Sequence, residues 1–298
     1  AEHSVWNDKH PQPSGGEAYE RSLTKYLAEQ SDKQLASLTP TDEASLGRFR
    51  NVVSGAFDTL IGRGLPNHEQ IQRTKIGKQK GNGYILFKDV LRLQSRGEEL
   101  PVVSLFPTKT EWNGDVVIWV DGNGKSGLFS DSGEVRNEVI RLLDGGASVV
   151  TADLFQQGDF LLDSQPLKQQ RSVANTREAA AFTFAYNDTL FARRVHDILT
   201  VISWISNDDH NPKHLHLVGL GGAGPLAAAA RAIAGDKIDK AAIDTDGFRF
   251  TELTSYRDPQ FLVGAVKYGD LPALLALSAP HKLWLAGENG KTPAVVAS

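Results

Sequence analysis

From residue 115 onward the chain alternates short apolar runs with amphipathic stretches, and that rhythm restricts its folding more than any other feature. "DVVIWVDG" is a β-branched run ending in glycine, and "EVRNEVIRLLDGG" reads as a helix closed by Gly145. "ASVVTADLF" is the next strand, followed by "NDTLFARRVHDILTVISWI", in which Leu190, Val195, Ile198, Ile202 and Ile205 recur at helical spacing behind Asn187 or Asp188 as N-cap. "HLHLVGL", "IDKAAID" and "HKLWLAG" supply three more strands. Strands alternating with helices predict a mostly parallel sheet covered on both faces, with ligands at the carboxyl ends of the strands. Upstream, "GYILFKDVLRLQSRGEELPVVSLFPT" alternates apolar and polar residues and turns at Arg96-Gly97, as an antiparallel pair does. The expected fold is three-layer α/β, with a leader and helical extension over 1–72 and one α/β domain over 73–298.

The stretch "HLHLVGLGGAGPLAAAARAIAG" reads as strand, glycine turn and helix, and it admits two explanations. Gly219, Gly221 and Gly224 match the G-x-G-x-x-G of a dinucleotide turn, and Asp244 stands about twenty residues on, where an acid would hold a ribose. An NAD-binding protein is therefore one alternative. Chain position weighs against it, because several strands precede the glycines and little parallel structure follows Asp244.

The second explanation covers far more of the chain. "ELPVVSLFPT", "DVVIWVDGNGKSG", "VTADLFQQGDF", "LVGLGGAG", "AIDTDGFRF", "FLVGAVKYGDLPALLALSAP" and "HKLWLAGE" occur in one order over about two-thirds of the protein. In that order they resemble the α/β-hydrolase superfamily, and specifically its acetyl xylan esterase-like branch. The resemblance implies an α/β-hydrolase-like fold and a carboxyl-ester hydrolase of carbohydrate-acetyl type. It also implies a nucleophile elbow G-x-S-x-G on a sharp strand-to-helix turn. Here Gly219 takes the place of the first glycine, Gly221 that of the serine, and Ala223 that of the last glycine. Glycine has no atom to attack a carbonyl carbon, yet it occupies positive φ freely, so the turn persists without the nucleophile.

The remaining site residues follow from the same resemblance. The amide of Gly222 and one from the loop containing Asp121, Gly122 and Gly124 would line an oxyanion hole. Glu288 is the candidate acid, with Asp244 and Asp246 as alternatives. Only ten residues follow Glu288, so the family's last strand and histidine loop fall outside this sequence. His214 and His216 share a strand face but sit at its start, and His196, His281, His3, His10 and His68 are no better placed. Ser126, Ser130 and Ser132 read as loop residues. Two long connections follow strands, and the second carries Phe248, Phe250, Tyr256, Phe261 and Tyr268, suited to walling an apolar or sugar-stacking cleft.

Composition excludes several functions. A net charge of −4 gives no footprint for nucleic acid or an anionic membrane surface, and Arg73, Lys75, Lys78 and Lys80 read as a solvated hairpin. With no cysteine there is no disulfide, thiolate metal site or cysteine nucleophile. No metal or cofactor is expected. The chain opens on Ala1, which reads either as a mature terminus left after export to the periplasm or medium or as a trimmed start, with export the preferred expectation. The expected function is therefore a protein of esterase-like lineage that binds a small-molecule or carbohydrate ester in a vestigial cleft. An active ester hydrolase with a non-standard site is the alternative.

Overall fold

The computed structural model describes residues 5–162, 165–177 and 179–297. Two helices, α1 (Gly16–Ala36) and α2 (Glu43–Ile61), precede the sheet. Three strands follow, β1 (Ile71–Lys80), β2 (Tyr84–Leu93) and β3 (Glu98–Pro107). Then come β4 (Asp115–Asp121), α3 (Asn137–Asp144), β5 (Ser148–Ala152), α4 (Ala181–Phe184) and α5 (Leu190–Ser206). The chain ends with β6 (His214–Leu220), α6 (Gly224–Ala234), β7 (Lys240–Asp244), α7 (Asp270–Ala276), β8 (Lys282–Ala286) and α8 (Ala294–Ala297).

The eight strands form one sheet in the order β1-β2-β3-β5-β4-β6-β7-β8. The first three strands and the β3–β5 junction are antiparallel, and β5 through β8 run parallel. The alternation of β4 explains how both faces are buried. Val116, Ile118 and Val120 enter the larger core, whereas Val117 and Trp119 enter the smaller one beneath α3. Helices α2, α5, α6 and α7 cover the larger face. This is the three-layer, mostly parallel α/β-hydrolase-like architecture that the sequence predicts.

Helix α2 is held by a capping box between Asp42 and Ser45, and it buries Phe49, Val53, Phe57 and Ile61 at four-residue intervals. Its end is clamped. Arg63 donates to both carboxylate oxygens of Glu98 and to Nδ1 of His196, while His196 Nε2 donates to Ile61 O at 2.7 Å. His196 is thus a structural pin, and burial holds its pKa below the ordinary histidine value. By contrast α1 buries no residue.

Two local expectations need correction. The N-cap of α5 is Thr189, whose hydroxyl accepts from Ala192 N at 3.1 Å. Asn187 instead donates to Thr183 O, and Asp188 does not cap. Phe248 and Phe250 do not wall a cleft, because Phe250 is buried against Phe191 and Phe248 packs edge-on to Phe250. An apolar ring in a long connection gains more from joining the core than from facing water.

Candidate functional site

Strand β4 lies between β5 and β6, so the chain departs in opposite directions from it, and a crevice opens at its carboxyl end. That topology brings two glycine-rich turns together. Asp121 pairs with Leu220, which places residues 121–127 beside the turn that follows β6. Gly221 has φ +58° and Gly222 has φ +86°, a left-handed course that side-chain-bearing residues rarely take. Behind the turn, a Cβ on Gly219 would lie 2.4 Å from Ala227 Cβ, and one on Gly224 would lie 1.9 Å from Asp244 O. The small residues of "GLGGAGPLAAAA" therefore let α6 lie close on the sheet.

The crest itself is tightly built. Gly122 N donates to Leu220 O at 3.2 Å, and a Cβ on Gly122 would fall 1.8 Å from Gly221 O. Asp121 is buried, and its Oδ1 accepts from Asn123 N at 2.9 Å. The carboxylate faces the elbow. A Cβ on Gly221 would stand 2.9 Å from Asp121 Oδ1, and one on Gly127 would stand 2.2 Å from the Asp121 carboxyl carbon. The amides of Gly122, Asn123 and Lys125 already have acceptors in Leu220 O, Asp121 and Asp153. Gly222 N–H has no acceptor among the described residues. Its N–H is therefore an unpaired donor on the exposed side of the turn.

Three polar contacts that the sequence analysis missed hold this crest in place. Gln157 donates to Gly122 O at 3.0 Å, and Gln260 donates to Gly222 O at 2.8 Å. Asp153 accepts from Lys125 N and Asp159 N and pairs with the Lys125 ammonium at 2.7 Å. The charged Lys125 inside a glycine run was a readable signal. The glutamines carry no pattern that marks them.

The candidate acids fall at the ends of β7 and β8, on the same edge of the sheet. Glu288 accepts from Thr245 Oγ1 at 2.6 Å and is gripped by the Arg249 guanidinium. Burial alone would raise its carboxyl, but the Arg249 and Thr245 hydrogen bonds outweigh that and hold it below the usual range. Asp244 Oδ1 accepts from Asp246 N at 3.0 Å, closing a turn in which exposed Asp246 has φ +49°. Tyr268 is half-buried. It lies on a 3₁₀ turn (Val266–Tyr268) packed against α1 and the larger core. Tyr256 and Phe261 pack on Phe184, joining the two long connections to each other.

No described histidine bonds to the crest. His214 and His216 stack at 6.3 Å at the start of β6 beside Asp239 and Asp115, at the other edge of the sheet. His281 pairs with Asp236 there. Among the described residues no group of three metal-ligating side chains could hold an ion, and His3 lies outside them. Ser126 donates to Asn123 O and Ser130 bonds to Ser132, so these hydroxyls are spent within their own loop.

No protein-family model matches this sequence, and no curated protein matches it. Its fold has solved counterparts. One is a candidate acetyl xylan esterase of Bacteroides fragilis, with a TM-score of 0.65 and 12% identity over 95% of this chain and 76% of that one. Another is a glucuronoyl esterase of Solibacter usitatus, with a TM-score of 0.56 and 12% identity over 82% and 75% of the two chains. A third is acetyl xylan esterase 1 of a Thermoanaerobacterium species, with a TM-score of 0.50 and 12% identity over 87% and 83%. At such identities the likeness concerns the fold, which this chain shares with carbohydrate esterases.

Proposed function

We propose that this protein binds a carbohydrate ester on the crest formed by Gly221, Gly222 and residues 121–127, and does not hydrolyse it by a serine–histidine–acid triad. One observation carries the reading: the residue at the strand-to-helix turn with φ +58° is Gly221, which has no side chain. Loss of a triad nucleophile leaves only the small residual catalysis of oxyanion donors and binding. The fold shared with carbohydrate esterases supports the ligand class. A ligand carbonyl oxygen would take the vacant N–H of Gly222. Export belongs to the same proposal, since an acetylated polysaccharide is met outside the cell. The test is calorimetric titration with an acetylated xylo-oligosaccharide beside a p-nitrophenyl acetate assay. Saturable heat without turnover fits the proposal, and absence of heat ends it.

A second reading, an ester hydrolase with a non-standard site, is favoured by Asp121. Its carboxylate borders the space that a serine side chain at 221 would fill, and a water there could be activated. In that step Asp121 takes a proton as the water oxygen bonds to the ester carbon, and the carbonyl pair moves onto the oxygen facing Gly222 N–H. Collapse then expels the alcohol oxygen, which recovers the proton from Asp121. Turnover that is lost in Asp121→Asn would decide for this reading.

A further inference from the structure

The larger helical layer stops short of the sheet's antiparallel end. Helix α5 ends at Ser206, and beyond Trp204 the same face of β1, β2 and β3 has no helix over it. The gap is a cavity of about 720 Å³, inside the size range of small-molecule sites. Val116, Ser148 and Pro212 border it, at the amino ends of the parallel strands, so it lies at the opposite edge from Gly221.

Its walls have a definite chemistry. Four half-buried aromatic side chains, Phe87, Phe106, Trp112 and Trp204, line it. Strand β1 is bulged at this point: Lys75 pairs with Asp89 and Gly77 with Lys88, leaving Ile76 as the extra residue. Such a bulge breaks the two-residue alternation and turns successive side chains toward one side. Lys75, Ile76 and Lys78 accordingly all border the cavity. Ile76 is 61% exposed, an uneconomical placement for a branched apolar side chain with nothing over it. Among the described residues neither Lys75 nor Lys78 has a carboxylate within ion-pair distance, and Lys78 lies over the Phe87 ring at 5.3 Å.

The interior supplies a second, independent observation. Asp89 is 1% exposed at its side chain and pairs through Oδ2 with Arg73, whose guanidinium covers Trp204. Asp89 Oδ1, Arg73 Nε and Ser104 Oγ are buried without a hydrogen-bond partner. These three orphaned polar atoms belong to residues that line one cavity but lie just beneath its surface, and such groups are otherwise satisfied, so a ligand group reaching them as Arg73 moves aside would supply the missing partner. A hydroxyl both donates and accepts, so it suits an acceptor-only oxygen beside a donor-only nitrogen.

We infer that this cavity is a second ligand site, for an aryl carboxylate bearing a ring hydroxyl. The ring lies among the aromatic walls, the carboxylate meets Lys75 and Lys78 at the rim, and the hydroxyl answers the Asp89, Arg73 and Ser104 group after a small rotation of the 28% exposed Arg73 side chain. The site does not depend on the function of the elbow.

Fluorescence titration of the full chain with 6-hydroxy-2-naphthoate, 2-naphthoate and 2-naphthol tests it. The hydroxy acid is expected to bind saturably and tightest, with both single-group analogues weaker by about fivefold or more. The Lys75→Gln/Lys78→Gln pair is expected to weaken the acids by about fivefold while leaving 2-naphthol and the melting temperature unchanged. Lys80→Gln, on the same strand but outside the cavity, serves as control and is expected to change nothing. Absence of saturable binding, equal affinity for the acid and 2-naphthol, or indifference to the lysine pair would each overturn the assignment.

Discussion

The carboxylate of Asp121 stands beside Gly221, 2.9 Å from where a Cβ on that glycine would be. The space that a side chain at 221 would enter is bounded by an acidic oxygen. That sets what adding a side chain there is expected to do.

Gly221→Ala adds a methyl group at φ +58° and presses it on Asp121. The left-handed backbone and the close contact together are expected to cost about 1–2 kcal/mol, read as a lower urea midpoint at unchanged slope. Gly221→Ser should lose less, because its hydroxyl can donate to Asp121 Oδ1. It should still turn over p-nitrophenyl acetate little, with no histidine among the described residues bonded to the crest to relay the proton. Brisk hydrolysis by this variant would contradict the account of the site.

Gly122→Ala meets a harder obstacle. The new Cβ would fall 1.8 Å from Gly221 O, a backbone atom that no rotamer change can move. The 121–127 loop must then withdraw from the elbow, so ester-ligand heat should vanish in calorimetry. Amide exchange at 121–128 should accelerate while the β1–β3 strands keep their protection.

The Arg249–Glu288 pair sets an acid limit on stability. Glu288 titrates below its ordinary value in the fold, so its contribution is present above the unfolded carboxylate pKa and is lost as pH falls through the lowered one. Arg249→Met strands a largely buried carboxylate and is expected to cost about 2–3 kcal/mol at pH 7 by denaturant melts. The loss should shrink on acidification below about pH 4.

Asp197 works in the other direction. It accepts from Phe155 N at 2.6 Å, and burial pushes its carboxyl up to about 7. A raised carboxylate pKa means that the folded state holds the proton more tightly, so this group adds stability as pH drops from about 7 toward the unfolded value near 4. Asp197→Asn keeps an acceptor for Phe155 N without the titration. Between pH 7.5 and 5.5 its melting temperature should gain less than the wild type's, by about 2–4 °C.

Isothermal titration with NAD(H) should release no heat. Asp244 is folded into a turn with Asp246, and the backbone of Gly122 lies against Gly221 where a pyrophosphate would approach. A measurable affinity weakened by Asp244→Ala would restore the nucleotide reading.

The parts of the fold governed by local periodicity were legible from the chain. The two-residue alternation of "DVVIWV" separates Val116, Ile118 and Val120 from Val117 and Trp119, and the Arg96-Gly97 turn joins β2 to β3 as read. The acid at 288 and the glycines of the elbow lie at strand ends, where the topology rule puts them. What escaped detection depends on distant partners. Arg249 becomes informative only once β8 brings Glu288 alongside it, and Gln157 and Gln260 matter only because two long connections fold back over the strand ends. Phe250 shows the reverse error. A ring in a loop looks available until Phe191 covers it.

The two glutamine amides have a further consequence. One reaches the crest from the segment after β5, the other from the segment after β7, and each holds a carbonyl on a different glycine turn. The crest is therefore suspended from two independent tethers. Changes far out in either segment would tilt the crest without altering one residue of it, so the geometry of the two glycine turns can drift through their periphery.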